Sequence, residues 1–527
     1  MIRISQLKLP VDHREEDIRN KAAKLLRIEP AAIKSLKLVR QSIDARKKDD
    51  IFYIYTVDVE TDREAQVIKR GRNSQVSLAE EPKYRFPDSG GKKPAHSPVI
   101  VGSGPAGLFC GLMLAQAGYE PLILERGDDV DTRREKVERF WKEGILDENS
   151  NVQFGEGGAG TFSDGKLNTL VKDPGKRNQK VLEIFADHGA DPEILYQQRP
   201  HIGTDVLTRV VKNIRRHIIE LGGQVRFNAR VTDLITENGH VRGVVVNGEE
   251  TIAADHVVLA VGHSARDIFS MIREKGIPLE AKSFAVGLRI QHPQAMINES
   301  QYGIKYKDLL GPAPYKVTWQ SSQGRGVYSF CMCPGGYVVD ASSEPGHLAV
   351  NGMSYHDRGG KNANSALIVT VTPEDFPGQG PLAGVEFQRH LEKAAFDHGG
   401  GKIPIQLYGD FKEGRVSGDF GDVEPQIRGG FRFADLRRIL PNHLCLPLIE
   451  AVERFGCRIR GFSRYDSILA GIESRTSSPV RIPRDGCLQS SLLGLYPCGE
   501  GAGYAGGITS AAMDGLRVAE EIAKGGK

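Results

Sequence analysis

An α/β chain built on a three-layer, Rossmann-like nucleotide-binding domain is predicted by three observations. Residues 97–127 run from an apolar strand through a glycine turn and a helix into a second strand that ends on an acid. The apolar run 256–261 closes on a further glycine, and residues 494–512 join a short strand to a glycine-rich turn and a long helix. Between the last two lies a strand-rich stretch, 275–465, with no such unit. It reads as an inserted α+β substrate domain, so the nucleotide-binding domain comes in two parts, 96–274 and 466–527. Residues 1–90 read as a small ferredoxin-like α+β domain in front of it.

In the first part, Val99-Ile100-Val101 is short and β-branched, as a buried parallel strand is. Gly102-Ser103-Gly104-Pro105-Ala106-Gly107 follows at once. Its glycines permit a tight turn, close approach of a pyrophosphate, and close packing of the next helix. That helix, 105–117, would turn free N–H groups and its positive end toward phosphates. A second strand, 122–124, ends in Glu125, 18 residues after Gly107, where a carboxylate can hold ribose hydroxyls, with Arg126 beside it. The half-site does not choose between NAD and FAD.

The 527 residues give room for two to four domains, and the net charge of +3 demands neither a membrane nor a nucleic acid. Residues 1–95 hold 21 Lys/Arg against 15 Asp/Glu, the remainder 49 against 52, so the basic excess is amino-terminal. A solvated charged face accounts for it better than RNA docking does. No leader pattern opens the chain, no run of about 18 apolar residues occurs, and seven cysteines lack framework spacing, which together predict a soluble cytoplasmic protein. Within 1–90, a strand at 2–9, a helix at 14–26 and a hairpin of 33–43 with 51–59 give the ferredoxin-like order. Residues 86–96, with Pro87, Gly90, Gly91 and Pro94, are the predicted linker.

After Glu125 a charged helix, 130–141, leads to a loop with five glycines among residues 155–165. Such backbone can lie against a flat ring or a phosphate, which makes Gly158, Gly160, Thr161, Ser163 and Lys166 cofactor-lining candidates. A helix at 205–221, a strand pair 224–227 with 230–235 carrying candidate Val231, and a hairpin 241–246 with 250–254 precede the buried strand that ends at Gly262.

In the insertion, Cys331-Met332-Cys333-Pro334-Gly335-Gly336 sets two thiols on a strand, facing one way. Cys331 and Cys333 are candidate redox thiols or small core residues, and no nearby Cys/His set completes a metal site. His356 and Arg358 are candidates for acid/base or anion-binding roles. Residues 472–481 are dense in hydroxyls and guanidinium groups, suited to an anion or a flavin edge.

The closing unit decides the cofactor. Gly499 and Glu500 sit in the turn, and the helix beginning near Gly507-Ile508-Thr509 can face the electron-rich edge of a reduced flavin, with Glu500 on ribityl hydroxyls. With GSGPAGL at 102–108, ERG at 125–127 and CGEGAGYAGGITSAAMDG at 498–515, the chain resembles the glutathione-reductase-type FAD-binding superfamily. Along nearly its whole length it is similar to a bacterial family of uncharacterised FAD-dependent dehydrogenases with an amino-terminal ferredoxin-like domain. SIDARKK at 42–48, 155–167, GHSARD at 262–267, SFCMCPGG at 329–336 and TSSPVRI at 476–482 carry that likeness. It implies an FAD-dependent oxidoreductase acting on a small-molecule substrate, with hydride moving to or from flavin N5. Alternatives are an NAD(P)H-dependent flavin reductase with transient nicotinamide docking, and a flavin-based redox sensor or RNA-associated flavoprotein. Substrate and oligomeric state stay open.

Overall fold

The computed structural model describes residues 1–71, 74–79, 83–88 and 94–525. Its centre is a five-stranded parallel sheet in the order Leu495–Pro497, Val257–Leu259, Val99–Val101, Leu122–Leu124, Gln224–Arg226. Alternation along these short strands builds the layers. Ile100, Ile123, Val258 and Tyr496 enter a core with the helices Pro105–Gln116, Thr204–Glu220 and Ile508–Ala523. Val99, Val101, Val257 and Leu259 enter a second core on the other face, shared with the antiparallel strands Val231–Glu237, His240–Val246 and Glu250–Ala253. Burial on both faces is why the sequence shows unbroken apolar triplets at Val99–Val101, Leu122–Leu124 and Val257–Leu259.

The expected pairing of 224–227 with 230–235 does not occur. Gln224–Arg226 is the outermost parallel strand, bonded to Leu122–Leu124, while Val231–Glu237 pairs with His240–Val246. Asn228, at φ 53, turns the chain from one sheet to the other.

The inserted region carries a seven-stranded sheet ordered Thr318–Gln320, Gly326–Cys333, Asn362–Val371, Phe284–Pro293, Ile468–Glu473, Ile403–Leu407, Phe431–Phe433. Ile468–Glu473 pairs with strands of the insertion on both sides, so the chain returns to the parallel sheet after Glu473 rather than at 466. Helices Gln294–Tyr306, Ala383–Gly399 and Asn442–Gly456, absent from the sequence reading, supply Ile297, Leu391 and Leu448 to the core over this sheet.

The amino-terminal unit has four antiparallel strands in the order Ile33–Asp44, Phe52–Thr61, Ile2–Pro10, Val76–Leu78, with helices Glu15–Leu26 and Glu64–Gly71. The sequence pattern predicts neither Glu64–Gly71 nor Val76–Leu78. Ile33–Asp44 is an edge strand, and Gln41 on it makes a parallel bridge to Gln197. There the Gln41 N–H donates to Tyr196 O at 2.7 Å and the Gln198 N–H to Gln41 O at 2.9 Å. Gly90 and Gly91 of the predicted linker lie outside the described residues.

Candidate functional site

A cavity of about 720 Å³ runs from the ends of the parallel strands to the inserted sheet. Gly102, Gly104, Pro105, Ala106, Glu125, Arg126 and Val231 line one end, Gly262 and Glu500 the middle, and Gly158, Gly160, Ser163, Lys166, Gly507 and Ile508 the stretch beyond. Sequence positions hundreds of residues apart therefore share one wall.

The other predicted residues stand behind that wall and shape it. A side chain on Gly107 would put Cβ 1.9 Å from Gly102 O, so glycine is what lets helix and turn touch. A Cβ on Gly499 would come 2.8 Å from Ala106 Cβ. The Thr509 hydroxyl donates to Leu167 O at 2.7 Å, tying the last helix to the glycine-rich loop, and Thr161 is fully buried within that loop. Ser103 turns inward to Glu125: its N–H and hydroxyl donate to Oε2 at 2.9 and 2.8 Å. Glu125 Oε1 accepts from the Gly127 and Gly155 N–H groups at 3.0 Å each. Its carboxylate thus joins three turns as well as facing the cavity. Arg126 pairs with Asp267 at 2.7 Å and lies over the Phe154 ring at 4.4 Å.

Arg133, which no motif marked, holds the glycine-rich loop in shape. It is fully buried and donates to the carbonyls of Asn151, Val152, Gly155, Glu156 and Gly158 at 2.7–3.3 Å. Burial lowers its guanidinium to about 10, still charged at neutral pH. The available signal was an arginine in register with Val130 and Val137 on the buried face of helix Val130–Glu143.

Further along, the two cysteines do not share a face. A bulge between Phe330 and Cys333, with Cys331 at φ 44, breaks the strand alternation. Cys331 lines the cavity and its thiol is pushed up to about 11 by burial, while Cys333 is enclosed beside Arg289, Sγ 3.8 Å from a guanidinium nitrogen. Both thiols are free. The Pro-Gly-Gly that follows seats another loop: a Cβ on Gly335 would lie 1.7 Å from Arg358 O. His356 does not line the cavity; its Nδ1 lies 2.9 Å from Ile202 O and its ring stacks on His201. Arg358 does line it, and grips Asp164 through Nε and a terminal nitrogen at 3.0 and 2.6 Å. Lys166 reaches the same carboxylate at 3.2 Å and also donates to Met332 O. Burial alone would raise the Asp164 carboxyl, but Lys166 and Arg358 hold it well below the usual range.

Two further buried carboxylates organise this end. Glu473 pairs with fully buried Arg289 at 2.8 Å and lines the cavity. Glu392, on Ala383–Gly399, receives Arg266 from the nucleotide-binding side at 2.8 and 3.0 Å and the cavity-lining Arg475 at 2.8 and 2.9 Å. In the middle, burial pushes the Glu500 carboxyl up to about 7, and burial followed by Arg475 and Arg266 pushes the His263 imidazole down to about 3. No three His, Cys, Asp or Glu side chains are grouped to hold a metal ion, and no helix is long and apolar enough to cross a membrane, among the described residues.

With this geometry in place, comparison with known proteins places the chain. Residues 96–266 match a family described as FAD binding domain, 207–349 one described as FAD dependent oxidoreductase, and 283–476 one described as FAD-dependent protein, C-terminal domain-like. Residues 1–60 match a domain of unknown function. An uncharacterised protein of Clostridium beijerinckii is 48% identical over 526 residues, 99% of this chain and 98% of its own. The chain belongs to this family of FAD-dependent proteins. A thiamine thiazole synthase of Methanococcus aeolicus is 26% identical over 254 residues, 46% of this chain and 81% of that one. Among solved structures, L-proline dehydrogenase from P. horikoshii has a TM-score of 0.35 at 14% identity, over 82% of this chain and 95% of that one.

FAD is the cofactor of this oxidoreductase family, and the cavity has features that fit it. No protein atom stands within 4 Å of where a side chain on Gly262 or Gly507 would project, and the nearest to one on Gly104 is 3.9 Å away. Helices Pro105–Gln116 and Ile508–Ala523 both begin at glycines without a side-chain cap, leaving N–H groups for an anion or an electron-rich ring.

Proposed function

We propose that the protein is an FAD-dependent oxidoreductase that moves hydride between a small organic substrate and flavin N5. One observation carries the reading: a single cavity joins both predicted half-sites and continues onto the inserted sheet. In this reading 96–274 and 474–527 form the FAD-binding domain, 275–473 the substrate domain, and 1–90 a ferredoxin-like unit, in a soluble cytoplasmic protein. The 102–107 turn and the helix after it hold the pyrophosphate; Glu125, Arg126 and Val231 hold the adenosine. Glu125 would hold ribose hydroxyls on the part of its carboxylate that faces the cavity. Gly158, Gly160, Thr161, Ser163 and Lys166, with Gly262, Gly499, Glu500, Gly507, Ile508 and Thr509, surround the flavin half. FAD, when bound, supplies a two-electron acceptor and donor. The chain's own part is orientation and electrostatics, with the insertion forming the far wall of the cavity.

The test is an absorption spectrum of the purified protein, followed without oxygen as NADH, NADPH and an organic substrate panel are added. Flavin bands bleached by an organic donor support the proposal. Bleaching by NADH or NADPH alone moves it to a nicotinamide-dependent flavin reductase, and bands inert to every donor to a sensor. Colourless protein that takes up no FAD refutes it.

A further inference from the structure

Four cationic side chains converge on the inserted-domain end of the cavity: Lys166, Arg199, Lys316 and Arg358. The two carboxylates there do not balance them. Asp164, fully buried, serves Lys166 and Arg358 together, which leaves that trio with one positive charge in excess. Glu473 is matched by Arg289. Arg199 and Lys316 stand exposed at the cavity's edge, with no ion pair of their own among the described residues.

Arg358 is built in rather than incidental. Its backbone lies at φ 51, in the left-handed region, pressed against Gly335, and its side chain is only 12% exposed. Asp164 engages Nε and one terminal nitrogen, and the other terminal nitrogen has no hydrogen bond among the described residues. Its neighbour His201 adds no charge, because burial, and then Arg358, hold its imidazole down to about 4. Tyr315, Phe330 and Met332 supply apolar wall beside these cations.

Resting on the flavin-enzyme reading above, we propose that this end of the cavity binds an organic oxyanion, a carboxylate or phosphate monoester on a small apolar body. Arg358 and Lys166 receive the anion, and Arg199 and Lys316 draw it in. A buried arginine already half-neutralised by Asp164 offers a fixed donor geometry with net charge to spare, which suits an oxyanion and disfavours a cation.

The experiment titrates the FAD-loaded protein with benzoate, phenyl phosphate and uncharged benzamide, reading perturbation of the visible flavin bands and, in parallel, the rise in Tm. Benzoate or phenyl phosphate is expected to saturate where benzamide does not, and the better of the two names the oxyanion. Arg358→Gln should weaken that Kd by about ten- to a hundredfold, the range of one charge-assisted hydrogen bond. Because Arg358→Gln disturbs a buried pair, the surface double variant Arg199→Gln/Lys316→Gln serves as the second probe, with a loss of about two- to fivefold that shrinks in high salt. Equal affinity for benzamide, no response to either anion, or unchanged Kd in both variants overturns the proposal. Protein that holds no FAD faults the flavin reading instead; the Tm arm then still reads the anion site directly.

Discussion

Glu392→Gln takes one negative charge from between two buried arginines. The carboxylate accepts five hydrogen bonds: two from Arg266 at 2.8 and 3.0 Å, two from Arg475 at 2.8 and 2.9 Å, and one from the Ser474 hydroxyl at 2.7 Å. An amide keeps one accepting oxygen, hence two or three of the five, and turns an NH2 group toward a guanidinium. Arg266 retains Glu344 at 3.1 Å, which softens the loss. Removing one partner of a buried ion pair costs about 3–5 kcal/mol, and that is the destabilisation expected at pH 7, read as the shift in denaturant midpoint at unchanged slope. The pH dependence has a definite sign. Although burial alone would raise it, Arg266 and Arg475 hold the Glu392 carboxyl far below its ordinary value of 4.5. Its contribution is therefore complete above about pH 4.5 and lost as pH falls further, so the gap between wild type and variant should stay constant from pH 8 to 5 and narrow below that. A loss under about 1 kcal/mol, or a gap that widens on acidification, would refute the reasoning.

Other expected outcomes follow from the cavity wall. Gly104→Ala should fold with stability within about 0.5 kcal/mol of wild type, since its Cβ meets no protein atom closer than 3.9 Å, yet bind FAD at least about tenfold more weakly in equilibrium dialysis. Gly107→Ala, with Cβ 1.9 Å from Gly102 O, should lower the Tm of the apoprotein as well, and equal behaviour of the two variants would sink this distinction. Glu500→Gln should flatten the pH profile of apoprotein stability: a carboxyl raised to about 7 makes the wild type lose stability as pH rises from about 4.5 through 7, and the amide cannot. A wild-type Tm that climbs over that interval as steeply as the variant's would contradict it. Arg133→Met removes all five hydrogen bonds that this guanidinium donates to the 151–158 carbonyls, so hydrogen exchange in that loop should accelerate while amides of the strand Val99–Val101 stay protected.

What the sequence disclosed was local. The 102–107 turn, Glu125 and the 499–509 turn were legible because each is a contiguous strand, turn and helix whose glycines answer to nearby backbone. Hidden were the contacts set by chain registration over long distances. Ile468–Glu473 sits between Phe284–Pro293 and Ile403–Leu407, and nothing in six apolar-rich residues says which sheet will take them. Arg133 and Glu392 are charged residues at core positions of amphipathic helices, a pattern visible in principle but with a partner visible only in three dimensions. The paired-thiol expectation failed at Cys331 because one left-handed residue inverts the side-chain alternation on which it relied.

The bridge between Gln41 and Gln197 bears on solubility. Ile33–Asp44 is the open margin of its sheet, and an unprotected margin of that length recruits strands from other molecules. One point on it is occupied by the bridge, and exposed Lys34, Lys37 and Arg40 occur along the same strand. Part of the amino-terminal basic excess thus acquires an ordinary purpose, as gatekeepers that keep like molecules apart. An amino-terminal fragment freed from the rest of the chain would lose the bridge but keep the charges, and its tendency to self-associate should rise with salt.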